Sequence, residues 1–263
     1  MFRLTREVRF AVNSVPDQQL SASATNSFAG YPSLTGFGQY LTLSVTLRGE
    51  LQPESSYLRN IKDVDNTVRR IAIPIVARKV HEGQSPVTTL QEISGSLGDA
   101  WPGTFLEKLT LSLSPFLSLS LRTEESPMLR LSQKFEFSAS HRLFNRDCDD
   151  ADNRRIFGKC SNPNGHGHNY ELQVTLAGDG KAVGGVLKNL PDFERIVGEA
   201  VIERFDHKNL NLDVPEFADI IPSVENIARV IYRLLRPRFA EAGAKLAAVT
   251  VWETPKTWCE YSE

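Results

Sequence analysis

Cysteine is scarce in this chain. There are three in 263 residues, Cys148, Cys160 and Cys259. So small and odd a number does not build a disulfide framework, and the expected setting is a reducing cytoplasm. No apolar run is long enough to cross a bilayer. The opening "MFRLTREVRF" mixes charge with apolar residues and lacks the apolar stretch of a signal peptide. Neither sign of charge is in excess: 30 Lys and Arg stand against 32 Asp and Glu, for a net charge of −2. That balance offers no electrostatic footprint for nucleic acid or for an anionic membrane. Histidine is also rare, with five in all, so a place where several gather carries weight. What remains, 41% apolar and 24% charged residues, is the composition of a globular protein long enough for one large domain or two ordinary ones.

An internal repeat organises the chain. Residues Gly165–Glu194 match Gly36–Asp65 at a constant offset: "GHGHNYELQVTLAG" lies over "GFGQYLTLSVTLRG", and "LKNLPDFE" over "LRNIKDVD". Outside that block "FEFSAS" lies over "VRFAVN" and "VTVWETP" over "LTLSLSP". Each copy opens on an alternating strand, with Leu4, Val8 and Phe10 in one and Leu131, Phe135 and Phe137 in the other. A long polar loop follows, residues 16–35 and 142–164, and then a second strand. In the later copy Phe193, Ile196, Val197, Ala200 and Val201 have helical spacing. A second helix starts at the N-cap Ser223 and carries Ile227, Val230, Ile231, Leu234 and Leu235 on one face. Two more strands close each unit; in the first these are "LTLSLS" and "LSLSLR". The charged, proline-bearing stretch 122–128 reads as a linker. The expectation is α+β: two tandem units, residues 1–125 and 129–263, each a four-stranded antiparallel sheet with two helices on one face.

The chemistry concentrates in the second copy. His166 and His168 are two apart, so on a strand both imidazoles leave the same face, which continues as Tyr170, Leu172, Val174 and Leu176. His141 ends the neighbouring strand, and antiparallel pairing would bring it beside them. A lone histidine at a strand end is usually a satisfied polar residue; H-x-H with a third histidine suits zinc, whose catalytic sites use three protein ligands and leave a fourth position open. Cys160 lies between Lys159 and that site, a setting that favours thiolate and makes it a candidate general base rather than an inert small residue. Asp206 and His207 form a pair suited to orienting an imidazole and passing protons, or else a solvated loop. Glu253, unusual in an apolar strand, could accept two hydrogen bonds from an amidine-like edge. Glu225 stands in a first helical turn, where acids are common because of the helix dipole.

The ordered motifs "FSASHRL", "FGKCSNPNGHGHNYEL", "LKNL", "FDHKNLNLDVPEFAD", "ENIA" and "VWET" closely resemble the 6-pyruvoyl-tetrahydropterin synthase family over residues 129–263. The resemblance implies the tunnelling fold, or T-fold. It implies zinc on His141, His166 and His168, Cys160 as proton acceptor, and a relay completed by Asp206 and His207. It implies Glu253 as the anchor of the pterin ring, with Glu225 nearby. The implied reaction removes triphosphate from 7,8-dihydroneopterin triphosphate. Val224 departs from the family, where relatives often carry a hydroxyl residue. A sister activity, 6-carboxy-tetrahydropterin synthase on the route to queuosine, shares fold, zinc and substrate. It typically has fewer residues between the cysteine and H-x-H than the Ser161–Gly165 stretch found here. A third reading is a pterin-binding module without turnover, against which the intact Cys160 and His207 argue.

The first copy is disarmed. Where the second has Cys160, His166, His168 and His141, it has Tyr31, Phe37, Gln39 and Ser14. Asp206 and His207 fall at Ala77 and Arg78, and Glu253 near Leu113. The expectation is a degenerate T-fold domain kept for packing or assembly. In the family resemblance the cysteine of one subunit meets the Asp-His pair of a neighbour. Fused inert and active domains then favour a homotrimer of two stacked rings, in which each active domain still meets another.

Overall fold

The computed structural model describes residues 1–15 and 26–263; part of the expected loop 16–35 lies outside the described residues. Contacts divide the chain into two compact units, Met1–Leu131 with Gly178–Gly184, and Ser132–Ala177 with Gly185–Glu263. Both are α+β, and no helix among the described residues is long and apolar enough to cross a membrane.

The first unit runs β1 (Phe2–Asn13), β2 (Gly38–Gly49), α1 (Ile61–His81), α2 (Pro86–Leu97), β3 (Thr104–Ser112) and β4 (Leu117–Arg122). The four strands pair antiparallel in chain order. Alternation decides their faces: Leu41, Leu43, Val45 and Leu47 are all buried while the residues between them are not. Asn60 caps α1 by accepting from the Lys62 amide, and Ser85 caps α2 by accepting from Val87. Val64, Val68, Ala72 and Val76 recur at helical spacing on α1, as do Leu90, Ile93 and Leu97 on α2. Burying each side chain of the valine or leucine kind contributes roughly 1.5–3 kcal/mol, so these stripes hold the helices against the strands. A forked ion pair adds direction: the Arg6 guanidinium of β1 donates twice to Asp65 of α1, at 2.7 Å each.

The second unit uses β5 (Leu129–His141), α3 (Asp150–Phe157), β6 (His166–Gly178), α4 (Gly180–Lys188, which straddles the division), α5 (Leu190–Val197), α6 (Glu203–Phe205), β7 (Lys208–Asn209), α7 (Val224–Glu241), β8 (Lys245–Thr254) and β9 (Thr257–Tyr261). The strand order is β5-β6-β8-β9, with β7 beside β5. Side chains meet across β5 and β6 with falling numbers, Ser132 with Thr175 and Ser138 with Asn169, which is the antiparallel sense. Tyr170, Leu172, Val174 and Leu176 are buried, as their alternation requires, and α7 packs its Ile227, Ile231 and Leu235 face on β8 and β9.

Two departures from the sequence reading matter for the site. The stretch 142–164 is not all loop. It contains α3, capped where Asp149 accepts from the Asp152 amide, and then a 3-10 turn, Gly158–Ser161. Among the eight residues of α3, "DADNRRIF", Asn153 alone is buried, so no apolar stripe announced it. Further on, the helical stripe from Phe193 to Val201 is one buried face, but a π turn at Gly198–Ile202 interrupts the helix before α6.

Gly165 leads into β6 with φ +68, and a Cβ there would lie 2.8 Å from the His141 carbonyl oxygen. Both the left-handed backbone and the close approach demand glycine. Gly165→Ala is expected to destabilise the protein by about 1–3 kcal/mol, read from the shift in the urea midpoint.

Candidate metal and catalytic site

His141, at the end of β5, is fully buried, with 0% of its surface exposed. Its Nδ1 lies 2.7 Å from the Pro222 carbonyl oxygen. A carbonyl only accepts, so Nδ1 carries the proton and Nε2 presents its lone pair. His166 and His168 project from one face of β6 toward it. The His141 and His166 Nε2 atoms are 3.2 Å apart, and the ligand nitrogens of all three histidines fall within 4.8 Å of one another. Zinc with bonds of about 2.0 Å in tetrahedral geometry spaces its nitrogens ~3.3 Å apart, so the cluster has the right span. Two of its buried nitrogens, His166 Nδ1 and His168 Nε2, have no hydrogen-bond partner. The buried His168 Nε2, without a partner inside the cluster, is a group that a cation would satisfy. Among the described residues this is the one His, Cys, Asp or Glu group with such spacing.

The electrostatics keep the cluster in ligand form. Burial, and secondarily the other two imidazoles, push the His141 pKa down to about 4, against the opposing Pro222 hydrogen bond. Burial also lowers the His168 pKa, opposed by the Glu253 carboxylate. Both rings are therefore neutral near pH 7, as metal ligation requires. Tyr170 lies under the cluster, its hydroxyl 3.5 Å from His141 Nδ1. Burial raises its pKa strongly, and the charges of Glu253 and Cys160 add to this.

Glu253, on β8, sits on the histidines: its Oε1 is 3.3 Å from His141 Nε2 and 3.5 Å from His168 Nε2. Cys160 is a half-buried free thiol in the 3-10 turn, outside the metal-ligating group. Its carbonyl accepts from the Leu143 amide at 2.9 Å, tying the turn to the chain just beyond His141. Asp206 and His207 are held together elsewhere. Asp206 accepts from the Ser138 amide at 2.7 Å and its other oxygen lies 2.8 Å from His207 Nδ1. The Ser138 hydrogen bond, then His207, holds the Asp206 pKa below the usual carboxylate value. His207 has φ 57, a strained conformation for a non-glycine residue, and its side chain is 83% exposed. It borders a cleft of about 490 Å³ with Ser138, His168 and Asn169. Within one chain, then, the fold gathers the three histidines and Glu253, while no hydrogen bond or ion pair joins Cys160 to His207. Glu225 stands exposed in the first turn of α7; its charge, after burial, helps raise the pKa of the Cys259 thiol. Val224 is buried.

Several supporting groups had no distinctive sequence signal. The Pro222 contact is backbone. Asn153 is buried and ties the 145–149 loop, donating to the Asn145, Cys148 and Asp149 carbonyls and accepting from the Asn145 amide. Asn211 brackets Arg142, accepting from its amide at 2.7 Å and donating to its carbonyl at 3.0 Å. In the first unit, Phe37 is 93% exposed, Ala77 and Arg78 lie inside α1, and Arg78 pairs with Glu82 and Glu92.

A three-histidine cluster that could hold a metal ion, with His141 buried and His166 and His168 half-buried, lies at one end of the sheet of this α+β unit. Residues 130–263, half of the chain, match the family model described as 6-pyruvoyl tetrahydropterin synthase, and the chain belongs to that family. It is similar to 6-pyruvoyl tetrahydrobiopterin synthase of Homo sapiens, 43% identical over 125 residues that cover 48% of this chain and 85% of that protein. The solved structure of Caenorhabditis elegans 6-pyruvoyl tetrahydropterin synthase is 34% identical, covers 52% of this chain and 96% of its own, and has a TM-score of 0.48. A 6-carboxy-5,6,7,8-tetrahydropterin synthase of Haemophilus influenzae is more distant, 27% identical over 156 residues, 52% of this chain and 100% of that protein.

Metal analysis checks the cluster. Full-length protein is expected to bind about one zinc per chain, and His168→Ala to retain less than about a tenth of it at matched free zinc, with unchanged helicity. Full zinc in the variant would remove His168 from the ligand set.

Proposed function

We propose that this chain is a zinc-dependent lyase of the 6-pyruvoyl-tetrahydropterin synthase type, eliminating triphosphate from 7,8-dihydroneopterin triphosphate. The observation that carries the reading is the close three-histidine cluster within a segment 43% identical to the human enzyme. His141, His166 and His168 would hold the zinc, which supplies Lewis acidity to the substrate's side-chain oxygens and so acidifies the neighbouring C–H bonds. Glu253 accepts from the amidine-like edge of the pterin and fixes the ring, with Glu225 nearby. The Cys160 thiolate takes the proton from the side-chain carbon, the C–O bond to triphosphate breaks, and internal redox transfer leaves the dioxo side chain. Asp206 orients His207, which exchanges the proton with the thiol.

The last step draws on two copies of the chain, since no hydrogen bond joins Cys160 and His207 within one. The exposed His207 ring and its strained backbone fit a group aimed at a neighbouring subunit. A homotrimer supplies this arrangement if residues 129–263 form one ring of T-fold domains and residues 1–125, a degenerate T-fold copy, form a second ring stacked on it. The reducing cytoplasm is the compartment proposed for it. The sister reaction, giving a 6-carboxy product, is the second reading; the five-residue stretch Ser161–Gly165 and the lower identity to the Haemophilus influenzae enzyme favour the pyruvoyl product. A pterin-binding protein without turnover is disfavoured by the retained Cys160 and His207. Incubation with dihydroneopterin triphosphate and the product's mass separate the three.

Cys160→Ala is expected to keep zinc and fold but lose ~10²–10⁴-fold in turnover, the usual worth of a general base. A rate near that of the parent would dismiss Cys160 as the base. Mixing inactive Cys160→Ala with inactive His207→Ala, after dissociation and reassembly, is expected to restore part of the activity. No recovery in mixed oligomers confirmed by mass would count against a shared site.

A further inference from the structure

We propose that the cleft over Arg142, Arg154 and Lys159 is a polyphosphate-binding site, and that it seats the substrate's triphosphate; the second half rests on the function proposed above. The cleft has a volume of about 710 Å³, ample for a triphosphate, and its lining includes these three cations and one carboxylate, Asp150. The cations are not committed elsewhere. On α3, Arg155 pairs with Asp152 at 2.7 Å, whereas neighbouring Arg154 has no acidic partner among the described residues, and neither has Lys159. Arg142 is pre-positioned. Its Nε donates to the Ser161 carbonyl at 2.9 Å and its guanidinium lies 4.4 Å over the Phe144 ring, while its Nη atoms make no hydrogen bond. Asp150 approaches Arg142 only to 3.9 Å, with its side chain 94% exposed. It leaves the cleft net positive and gives way readily to a better anion.

Chain connectivity places this charge beside the chemistry. Arg142 directly follows the candidate ligand His141, and Lys159 and Ser161 flank Cys160. Arg142 and Lys159 thus join the cleft to the two segments that carry His141 and Cys160, and Arg154 lines the same cleft. Arginine forks match phosphate oxygens in pairs, and lysine adds a mobile point charge. The cleft bordered by His207 is less suited, since Lys208 is its one permanently cationic lining residue. The same chemistry fits inorganic triphosphate, the leaving group, which would compete as a product.

The test uses full-length, zinc-loaded protein and inorganic tripolyphosphate in titration calorimetry, with steady-state kinetics on dihydroneopterin triphosphate. Arg154→Ala and Lys159→Ala, checked for native helicity and zinc, are expected each to weaken tripolyphosphate about tenfold and raise KM by a similar factor, more than they change kcat. Arg154→Lys should recover most of the loss, and Asp150→Asn should bind the anion more tightly than the parent. Tripolyphosphate binding and KM both indifferent to Arg154 and Lys159 overturn the site. Arg154-dependent tripolyphosphate binding by a protein that turns over no pterin supports the site and overturns the lyase reading instead.

Discussion

A carbonyl oxygen can only accept, so the 2.7 Å contact between Pro222 and His141 decides which nitrogen of a buried imidazole holds its proton. Everything at the site depends on that choice. With Nδ1 protonated, Nε2 faces His166, His168 and Glu253 as a lone pair. With the opposite tautomer, a buried N–H would point at the space a cation would need. The carbonyl is delivered by the residue just before Ser223, the N-cap of α7, and α7 is pinned by its apolar face to β8 and β9. Packing of a helix thus reaches the histidine cluster through one backbone oxygen.

The fold was legible where side chains follow a period. The alternation that ends in Leu172, Val174 and Leu176 and the stripe through Ile227 and Ile231 each report burial directly, and they located the strands and α7. The three histidines were legible for the same reason, because H-x-H on a strand must share a face. Short polar helices carry no such period. α3 is specified by its Asp149 cap and by the four hydrogen bonds of Asn153, interactions that local sequence does not distinguish from an ordinary polar loop. The π turn at Gly198–Ile202 was hidden because the buried face continues across it. The Pro222 carbonyl could not be read at all, since every residue carries one.

Asp206 and His207 illustrate a residue pair positioned by backbone rather than by packing. The parallel pairing of β7 with β5 puts Ser138 against them, and Ser138 uses its amide on the Asp206 carboxylate while its carbonyl takes the His207 amide at 2.6 Å. The pair is therefore fixed to the same strand that ends in His141. Movement of β5 would shift His141 and the Asp-His pair together, which couples their geometry without direct contact.

The two-residue spacing on β6 also limits how this segment can change its length. A single inserted residue between Gly165 and Tyr170 would turn one of the histidines to the opposite face while the apolar run beyond it stayed put, or carry the apolar run to solvent instead. Insertions there preserve both faces when they come in pairs, whereas the polar stretch before Gly165 is free of that parity. The approach to the strand can thus change length one residue at a time, while the strand keeps its faces only in steps of two or where a bulge absorbs the extra residue.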